Sequence, residues 1–239
     1  MSKHYNLFEV LNFKEKETIH SAMIAAIASH NPKSREAFFH MLKKKKIIKT
    51  ENLAINYEET FETKINCLIH PNSIDFDSNK NGHWIDTEVN LTEIVTRDGK
   101  QVSINRGRAD IWIGTNKNLD APYRLIIENK INAGNQYRQL RRYYRYLTGN
   151  NRKFAGLFFL CPIYNDAFRK QAIDSAKTFN NESELNGKKR PYTEFAIITY
   201  KDDIIPWLVK VKETASGDFL KVVSDYHELV VSLVRDWDK

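Results

Sequence analysis

Cysteine is scarce in this chain of 239 residues, and long hydrophobic runs are missing. Its two cysteines, Cys67 and Cys161, are too few for a disulfide framework and form no CxxC motif. No stretch approaches the roughly 18 consecutive apolar residues of a membrane span. The first residues, MSKHYNLFEV, contain no apolar signal-peptide region. These absences predict a cytoplasmic protein that has no contact with a membrane.

The motifs of several large enzyme classes are also missing. No two histidines have the HxxxH spacing of a zinc peptidase, and the patterns GxxxxGK[ST], GxGxxG and GxSxG do not occur. The sequence therefore lacks the usual signals of an NTPase, a dinucleotide-dependent enzyme and an α/β-hydrolase.

Charge is abundant but unevenly distributed. The net charge is +7, and residues 1–50 carry +6, residues 51–100 carry −6 and residues 101–150 carry +6. A basic excess favours a polyanionic partner. The place where the sign changes needs a physical explanation.

The hydrophobic pattern changes between helical and strand periodicity, which predicts a mixed α/β domain. Two helices are predicted over 15–28 and from Ser34 to about Lys46, and the lysine-rich tail KKKKIIK is interpreted as a solvated helix face. Residues 50–82 show no clear periodicity, and the polar run from Pro71 to Gly82 within them is interpreted as a loop. The remaining pattern predicts strands at 84–95, 101–105, 108–114, 123–129, 154–160 and 193–199, and helices at 135–148, 164–179 and up to Trp237.

Two carboxylates and one amine are placed at strand ends. Alternate side chains of a strand share a face, so Glu128 and Lys130 emerge together while Asn129 faces the other way. Pairing with the preceding strand lets the Asp110 carboxylate converge with that of Glu128. Such a pair suits Mg²⁺ or Mn²⁺, and a neighbouring lysine can neutralise the charge that develops during phosphodiester hydrolysis. On spacing alone, a surface ion pair remains the alternative.

The helix that follows is strongly basic. No acidic residue occurs between Glu128 and Asp166, so its arginines have no acidic i,i+4 partner and repel one another. A phosphate backbone supplies the missing negative charge, which favours a nucleic-acid-binding helix over a solvated basic face. The arginines predicted to form one stripe are Arg138, Arg141, Arg142 and Arg145.

These segments resemble the PD-(D/E)XK nuclease superfamily. Ala109 stands where the superfamily name has proline, at a position that supplies no ligand. The resemblance implies an α/β fold with a restriction-endonuclease-like αβββαβ core, a mixed central sheet flanked by helices, and extra N- and C-terminal helices. The runs that carry it are Gly107-Arg108-Ala109-Asp110-Ile111, Ile126-Ile127-Glu128-Asn129-Lys130, Gln136-x-x-Gln139-Leu140-x-x-Tyr143 and Glu17-Thr18-Ile19-His20-Ser21.

The resemblance also implies the domain plan and the roles of individual residues. We expect one domain over 1–239, with N-terminal helices in 1–50, the catalytic core in 84–200 and C-terminal helices in 201–239. Asp110 and Glu128 would bind Mg²⁺, with Mn²⁺ as a substitute, and the Asn129 carbonyl would be a third ligand. Lys130 would be the catalytic lysine, with Glu17 and Gln139 in the same catalytic set. Tyr143 would contact nucleic acid together with the four arginines.

The predicted function is a metal-dependent nuclease that hydrolyses phosphodiester bonds of DNA. The resemblance implies a role in restriction or in defence against foreign DNA. A nucleic-acid-binding module with this fold and no cleavage is the alternative, and a scaffold that binds an acidic protein is a third hypothesis. Cleavage of both strands of a duplex usually requires two sites, which favours a homodimer.

Overall fold

The structure is a computed structural model that describes residues 13–50, 55–69, 84–97, 99–115, 123–132, 138–148, 153–177 and 193–239. Its helices are α1 (Glu17–His30), α2 (Pro32–Lys43), α3 (Glu62–Ile69), α4 (Gln139–Thr148), α5 (Asp166–Ala176), α6 (Ile205–Lys212) and α7 (Gly217–Trp237). Its strands are β1 (Lys46–Lys49), β2 (Ile55–Thr60), β3 (Trp84–Arg97), β4 (Lys100–Gly114), β5 (Tyr123–Asn129), β6 (Lys153–Cys161) and β7 (Glu194–Thr199). A π-helical turn, Tyr200–Ile204, connects β7 to α6.

The described strands form one mixed sheet in the order β2-β1-β7-β6-β5-β4-β3. Strands β3, β4 and β5 are antiparallel neighbours, whereas β5, β6 and β7 run parallel. Helix α4 lies between β5 and β6 in the chain and α5 lies between β6 and β7, as parallel crossovers require. The predicted mixed α/β fold with a flanked central sheet is confirmed.

Helices cover both faces of the sheet and enclose two hydrophobic cores. The α1-side core contains Leu125 and Ile127 of β5 together with apolar residues of α1, α2 and α7. The α4-side core contains Ile126 of β5 and apolar residues of α4 and α5, such as Leu140. Strand β5 is therefore apolar at consecutive positions because each of its faces meets a different core.

The boundary between α1 and α2 shows why Pro32 belongs to a helix start. The Asn31 side chain accepts a hydrogen bond from the backbone N–H of Ser34 at 2.8 Å, and Pro32 occupies the first turn, where no N–H donor is needed. Helix α2 therefore begins before the predicted Ser34 and ends at Lys43.

The lysine-rich segment after α2 is not a solvated helix face, contrary to the prediction. Ile47 and Ile48 are buried in β1, which pairs with β7 and β2, while the flanking Lys46 stays exposed. The predicted 1–50 helical segment therefore includes a strand. The adjacent apolar pair can be buried from both sides of a sheet, which a helix surface cannot do.

Two further predictions need correction. Residues 50–70 were left without an assigned element, but β2 and α3 lie within this range, and the loop predicted from Pro71 to Gly82 lies outside the described residues. The strands predicted at 101–105 and 108–114 are one strand, β4, that continues through a register shift opposite Leu91 and Thr92. Gly107 adopts φ +116° at this place, a conformation that lets the strand continue through the irregularity.

None of the described helices is both long enough and apolar enough to cross a membrane. The long C-terminal helix α7 buries Val223, Tyr226 and Leu229 against the rest of the chain and exposes charged residues elsewhere. Its apolar stripe is therefore that of an amphipathic helix.

Candidate active site

Asp110 and Glu128 lie at the point where β4 and β5 stop pairing. The last registered pair toward this end is Ile111 with Ile127, so Asp110 and Glu128 occupy the next pair of opposite positions. The Asp110 Oδ2 atom accepts a hydrogen bond of 2.7 Å from the backbone N–H of Asn129. The Asp110 carboxylate thereby takes the place of a backbone carbonyl as acceptor. Asp110 and Glu128, the two predicted carboxylates, lie close together in the structure.

Lys130 lies beside Glu128, as the alternation of β5 predicts. Its Nζ atom is 2.5 Å from Glu128 Oε1, and both side chains are buried, with Glu128 only 1% exposed. The Tyr143 hydroxyl is a second polar neighbour of this carboxylate. A buried carboxylate is costly unless it is paired, and Lys130 supplies the opposite charge.

Burial perturbs the protonation of this trio. Burial and the nearby Asp110 together raise the pKa of Glu128 to about 8, against the opposing effect of Lys130. Burial also raises the pKa of Asp110 to about 6, against the opposing effect of Lys130. For Lys130, burial lowers the pKa but Glu128 raises it, and the net direction is upward. The metal-free site therefore favours neutral carboxyl groups or a paired lysine.

The donor set fits a hard divalent cation. The buried Glu128 carboxylate lies close to the Asp110 carboxylate, and carboxylate oxygens are the ligands that Mg²⁺ prefers. Within the part of the chain that the structure describes, no group of three or more Asp, Glu, His or Cys side chains is arranged to hold a metal ion. A cation here would therefore take its other ligands from backbone carbonyls and water, as Mg²⁺ commonly does.

Glu17 reaches the same site from the first residue of α1. Its Oε1 atom accepts hydrogen bonds from the backbone N–H groups of Ile131 at 2.7 Å and Asn132 at 3.3 Å, and its Oε2 atom is 3.9 Å from Lys130 Nζ. The carboxylate therefore fixes the turn after β5 and adds negative charge beside the lysine. The structure brings Glu17 into the predicted set.

The Asn129 side chain lies on the opposite face of β5 and connects it to α1. Its Nδ2 atom donates to the Glu17 backbone carbonyl and to Ser21 Oγ, each at 3.1 Å, and its Oδ1 atom accepts from the Tyr200 hydroxyl at 3.0 Å. Only the backbone of Asn129 thus faces the carboxylate pair. The ligand role of the Asn129 carbonyl stays a prediction.

Gln139 and Tyr143 connect α4 to β4 beside the carboxylates. Gln139 Nε2 donates to the Tyr143 hydroxyl at 2.8 Å, and this hydroxyl donates to the Arg108 carbonyl at 2.5 Å. The Tyr143 ring is packed so closely that a Cβ at Gly107 would lie 3.2 Å from it. Tyr143 is fully buried, so its predicted contact with nucleic acid is wrong in this arrangement: α4 packs this residue onto the strand.

The four arginines do not form one exposed stripe, and Arg141 is the exception. It is buried, and its Nη1 atom donates to Thr193 Oγ1 at 3.3 Å. The prediction fails because α4 packs against both the sheet and α5, so its buried arc is wider than expected. Arg138, Arg142 and Arg145 are half-buried, and Arg142 Nε donates to the Arg106 carbonyl at 3.3 Å. Gln136 of the predicted motif lies outside the described residues.

Glu88 and Arg108 are site neighbours that the sequence analysis did not assign. Glu88 lies opposite Asp110 on β3, between the pairs Thr87–Ile111 and Val89–Ala109, and its Oε2 atom is 2.8 Å from Arg108 Nε. No sequence signal marks Glu88, because a lone glutamate in a strand is ordinary.

The conformation of Glu88 is costly. Its backbone has φ +56°, and its buried Oε1 atom has no hydrogen-bond partner among the described residues. A non-glycine residue in such a region costs about 1–3 kcal/mol, and an unpaired buried acceptor costs about 1–3 kcal/mol. An exposed ion pair returns only about 0–1 kcal/mol. The Glu88–Arg108 ion pair therefore stabilises the fold by less than the conformation and burial of Glu88 destabilise it.

Comparison with known proteins was informative at the level of the family. A family model described as the PD-(D/E)XK nuclease superfamily matches residues 5–226 of the chain. No curated protein and no solved structure matches it. The matched range includes every residue described above for the site.

Proposed function

The chain belongs to the PD-(D/E)XK nuclease superfamily, and from this membership we propose that it uses a divalent cation to hydrolyse phosphodiester bonds of DNA. The observation that carries the proposal is the buried Glu128 carboxylate, which lies beside the Asp110 carboxylate and contacts the Lys130 ammonium. Such a carboxylate is arranged for a cation and not for stability.

We assign the cation to Asp110, Glu128 and the backbone carbonyl of Asn129. Mg²⁺ is the proposed cofactor, and Mn²⁺ is expected to substitute because both prefer oxygen ligands. A bound divalent cation supplies Lewis acidity toward a phosphate oxygen and lowers the pKa of a bound water.

The protein groups then have separate tasks. The Lys130 ammonium, held between Glu128 and Glu17, would donate to the attacking water or to the developing charge of the phosphate. Glu17 would keep the lysine charged and fix the turn after β5. Gln139 would act through Tyr143, whose hydroxyl holds β4 in place.

Binding of the nucleic acid is assigned to the half-buried arginines of α4, namely Arg138, Arg142 and Arg145. They occupy the N-terminal end and the exposed flank of a helix that has no acidic residue. Each arginine fork can pair with a phosphate oxygen. Arg141, which is buried against Thr193, is excluded from this set.

Purified protein incubated with plasmid, linear and single-stranded DNA tests the proposal. We expect cleavage in Mg²⁺ or Mn²⁺, no cleavage with a chelator, and no cleavage by Glu128→Gln. Activity that is retained by Glu128→Gln would contradict the assignment of the site. Salt-sensitive binding without cleavage in either metal would instead favour a non-cleaving nucleic-acid-binding module.

Two further parts of the proposal concern the biological setting. We propose a homodimer, because cleavage of both strands of a duplex usually needs two sites, and light scattering of the purified protein measures this. We also propose restriction or defence against foreign DNA as the role. Reduced plasmid uptake by cells that express the wild type, but not by cells that express Glu128→Gln, would support that role.

A further inference from the structure

We propose that Arg108 binds a phosphate of the nucleic acid beside the scissile bond and that Glu88 is the positioning residue that aims it. This inference rests on the proposed nuclease function and adds a substrate contact outside α4. It rests on the geometry of β3 and β4 around Asp110, where Glu88 and Arg108 are in contact.

Arg108 is held at its backbone and at one nitrogen of its side chain. Its carbonyl accepts the Tyr143 hydroxyl at 2.5 Å, and the N–H of the preceding residue, Gly107, donates to Asn105 Oδ1 at 2.8 Å. Its Nε atom is 2.8 Å from Glu88 Oε2. These contacts restrict the side chain before any ligand arrives.

The rest of the guanidinium is available. The Arg108 side chain is 59% exposed, and its ion pair with Glu88 is made through Nε, so the two Nη groups are not part of that contact. A planar guanidinium with one anchored nitrogen and two presented nitrogens matches the oxygens of a phosphate, which a flexible ammonium does less well. Arg108 is only two residues from Asp110, so the phosphate it binds would be close to the proposed cation.

Glu88 has a conformation that another residue would adopt more easily. Before it, Ile85 packs on the α1-side core, and after it, Val89 packs on the α4-side core, so β3 changes face at Glu88. Its positive φ of +56° makes this change possible. Glycine would adopt this φ at no steric cost, so a glutamate here indicates a use for its carboxylate.

The contacts of the Glu88 carboxylate indicate that it holds the Arg108 side chain. Glu88 is not part of a metal-binding group of three side chains in the described part of the chain. One of its oxygens is directed to Arg108 Nε, and the other is buried without a hydrogen-bond partner among the described residues. The strained Glu88 carboxylate on β3 and the exposed Arg108 guanidinium on β4 together form a preorganised anion-binding site.

Binding of a fluorescent DNA duplex, measured by anisotropy in Ca²⁺ over a series of KCl concentrations, tests the role of Arg108. We expect Arg108→Ala to reduce the salt dependence by about one phosphate contact, a change of about 0.9 in the slope of log K against log salt. Arg108→Lys is expected to keep the slope and to bind less tightly. Calorimetric affinity for Mn²⁺ should be unchanged, which separates a phosphate contact from damage to the metal site.

Lys100→Ala is the matched control, because Lys100 is an exposed cation of the same strand, eight positions away or roughly 26 Å at about 3.3 Å per residue. An equal change of slope in the Lys100 and Arg108 variants would overturn the assignment. If Arg108→Ala does not fold, the comparison of Arg108→Lys with Arg108→Gln gives the same decision, because only the lysine keeps the charge.

Glu88→Gly tests positioning. Relief of the strained φ should raise Tm by about 2–4 °C, while the cleavage rate falls by about 10-fold to 100-fold because the guanidinium is no longer aimed. Glu88→Gln keeps a hydrogen-bond acceptor and should recover part of the rate. A higher Tm with an unchanged cleavage rate would show that Glu88 has no positioning role.

Failure of the proposed function and failure of this inference give different results. If the wild type binds DNA without cleaving it and Arg108→Ala still changes the slope, the proposed nuclease activity is refuted and the phosphate contact is supported. If the wild type cleaves DNA and Arg108→Ala has the same slope and the same cleavage rate, the phosphate contact is refuted and the nuclease activity is supported.

Discussion

The backbone N–H of Asn129 donates a hydrogen bond to Oδ2 of Asp110 across 2.7 Å. This bond joins β4 to β5 at the position where their regular pairing ends, and it fixes a proposed cation ligand. The side chain of the same asparagine binds Ser21 and the Glu17 carbonyl on the other face. Asn129 thus couples the orientation of a carboxylate to the position of α1.

Asn129→Ala should destabilise the protein. The variant leaves Ser21, the Glu17 carbonyl and the Tyr200 hydroxyl without their shared partner in a buried place. We expect a loss of about 1–3 kcal/mol in the free energy of unfolding, measured by denaturant titration. Tyr200→Phe is the comparison, and the two losses should be less than additive because they remove one common bond. Full additivity would contradict the network.

Lys130→Ala should abolish most of the activity without weakening the metal site. Loss of a positioned charge that acts on the transition state costs about 100-fold to 1000-fold in rate. Affinity for Mn²⁺, measured by calorimetry, should be retained, because Lys130 competes with a cation for Glu128. Lys177→Ala, which removes an exposed lysine that pairs with Asp174, is the control. Equal rates in the two variants would refute the role of Lys130.

The metal-free protein should lose stability as the pH rises. The folded pKa of Glu128, about 8, is above its ordinary value of 4.5, so the folded state binds the proton more tightly. Its stabilising contribution is present below pH 4.5 and is lost as the pH rises through about 8. Tm measured in a chelator from pH 5 to about 8 should therefore fall less in Glu128→Gln than in the wild type. Identical pH profiles would contradict the burial of a neutral carboxyl.

His20 should produce the opposite dependence at acidic pH. Burial lowers its pKa from 6.5 to about 4, and its ring nitrogens contact the Tyr226 hydroxyl at 3.1 Å and the Lys14 carbonyl at 2.8 Å. The stability that depends on a neutral ring is present above pH 6.5 and is lost as the pH falls toward 4. His20→Gln should flatten the acid side of the Tm profile, and an unchanged profile would show that His20 does not titrate there.

Gly107→Ala should cost more stability than Gly99→Ala. A Cβ at Gly107 would lie 3.2 Å from the Tyr143 ring, whereas no atom of the described residues lies within 4 Å at Gly99. Gly107 has φ +116° and Gly99 has φ +73°, which is nearer the left-handed region that other residues can adopt. The difference between the two variants therefore reports backbone strain together with the contact with Tyr143. Denaturant titration of the two variants measures it, and equal losses would mean that the ring moves away freely.

The sequence allowed the centre of the site to be predicted because strand geometry is local. Alternation along β5 places Glu128 beside Lys130, and a short connection makes β4 and β5 neighbours, so Asp110 follows from register alone. The buried strand β5 was likewise evident from its run of apolar residues.

Other features depend on distant parts of the chain and could not be predicted. Arg141 is buried and donates to Thr193, which is 52 positions away, so no periodicity within α4 reveals its burial. Strand β1 forms because β7 provides a partner for Ile48 from almost the other end of the chain. The positive φ of Glu88 could not be predicted from the sequence, because glutamate normally avoids this conformation.

The contact between His20 and Tyr226 joins residues 206 positions apart. Helix α1, which carries Glu17, therefore packs against α7, although the two helices are far apart in the sequence. Contacts of such separation require a long loop to close before they are gained. The proposed catalytic set is therefore expected to be complete only in a chain that contains residue 226.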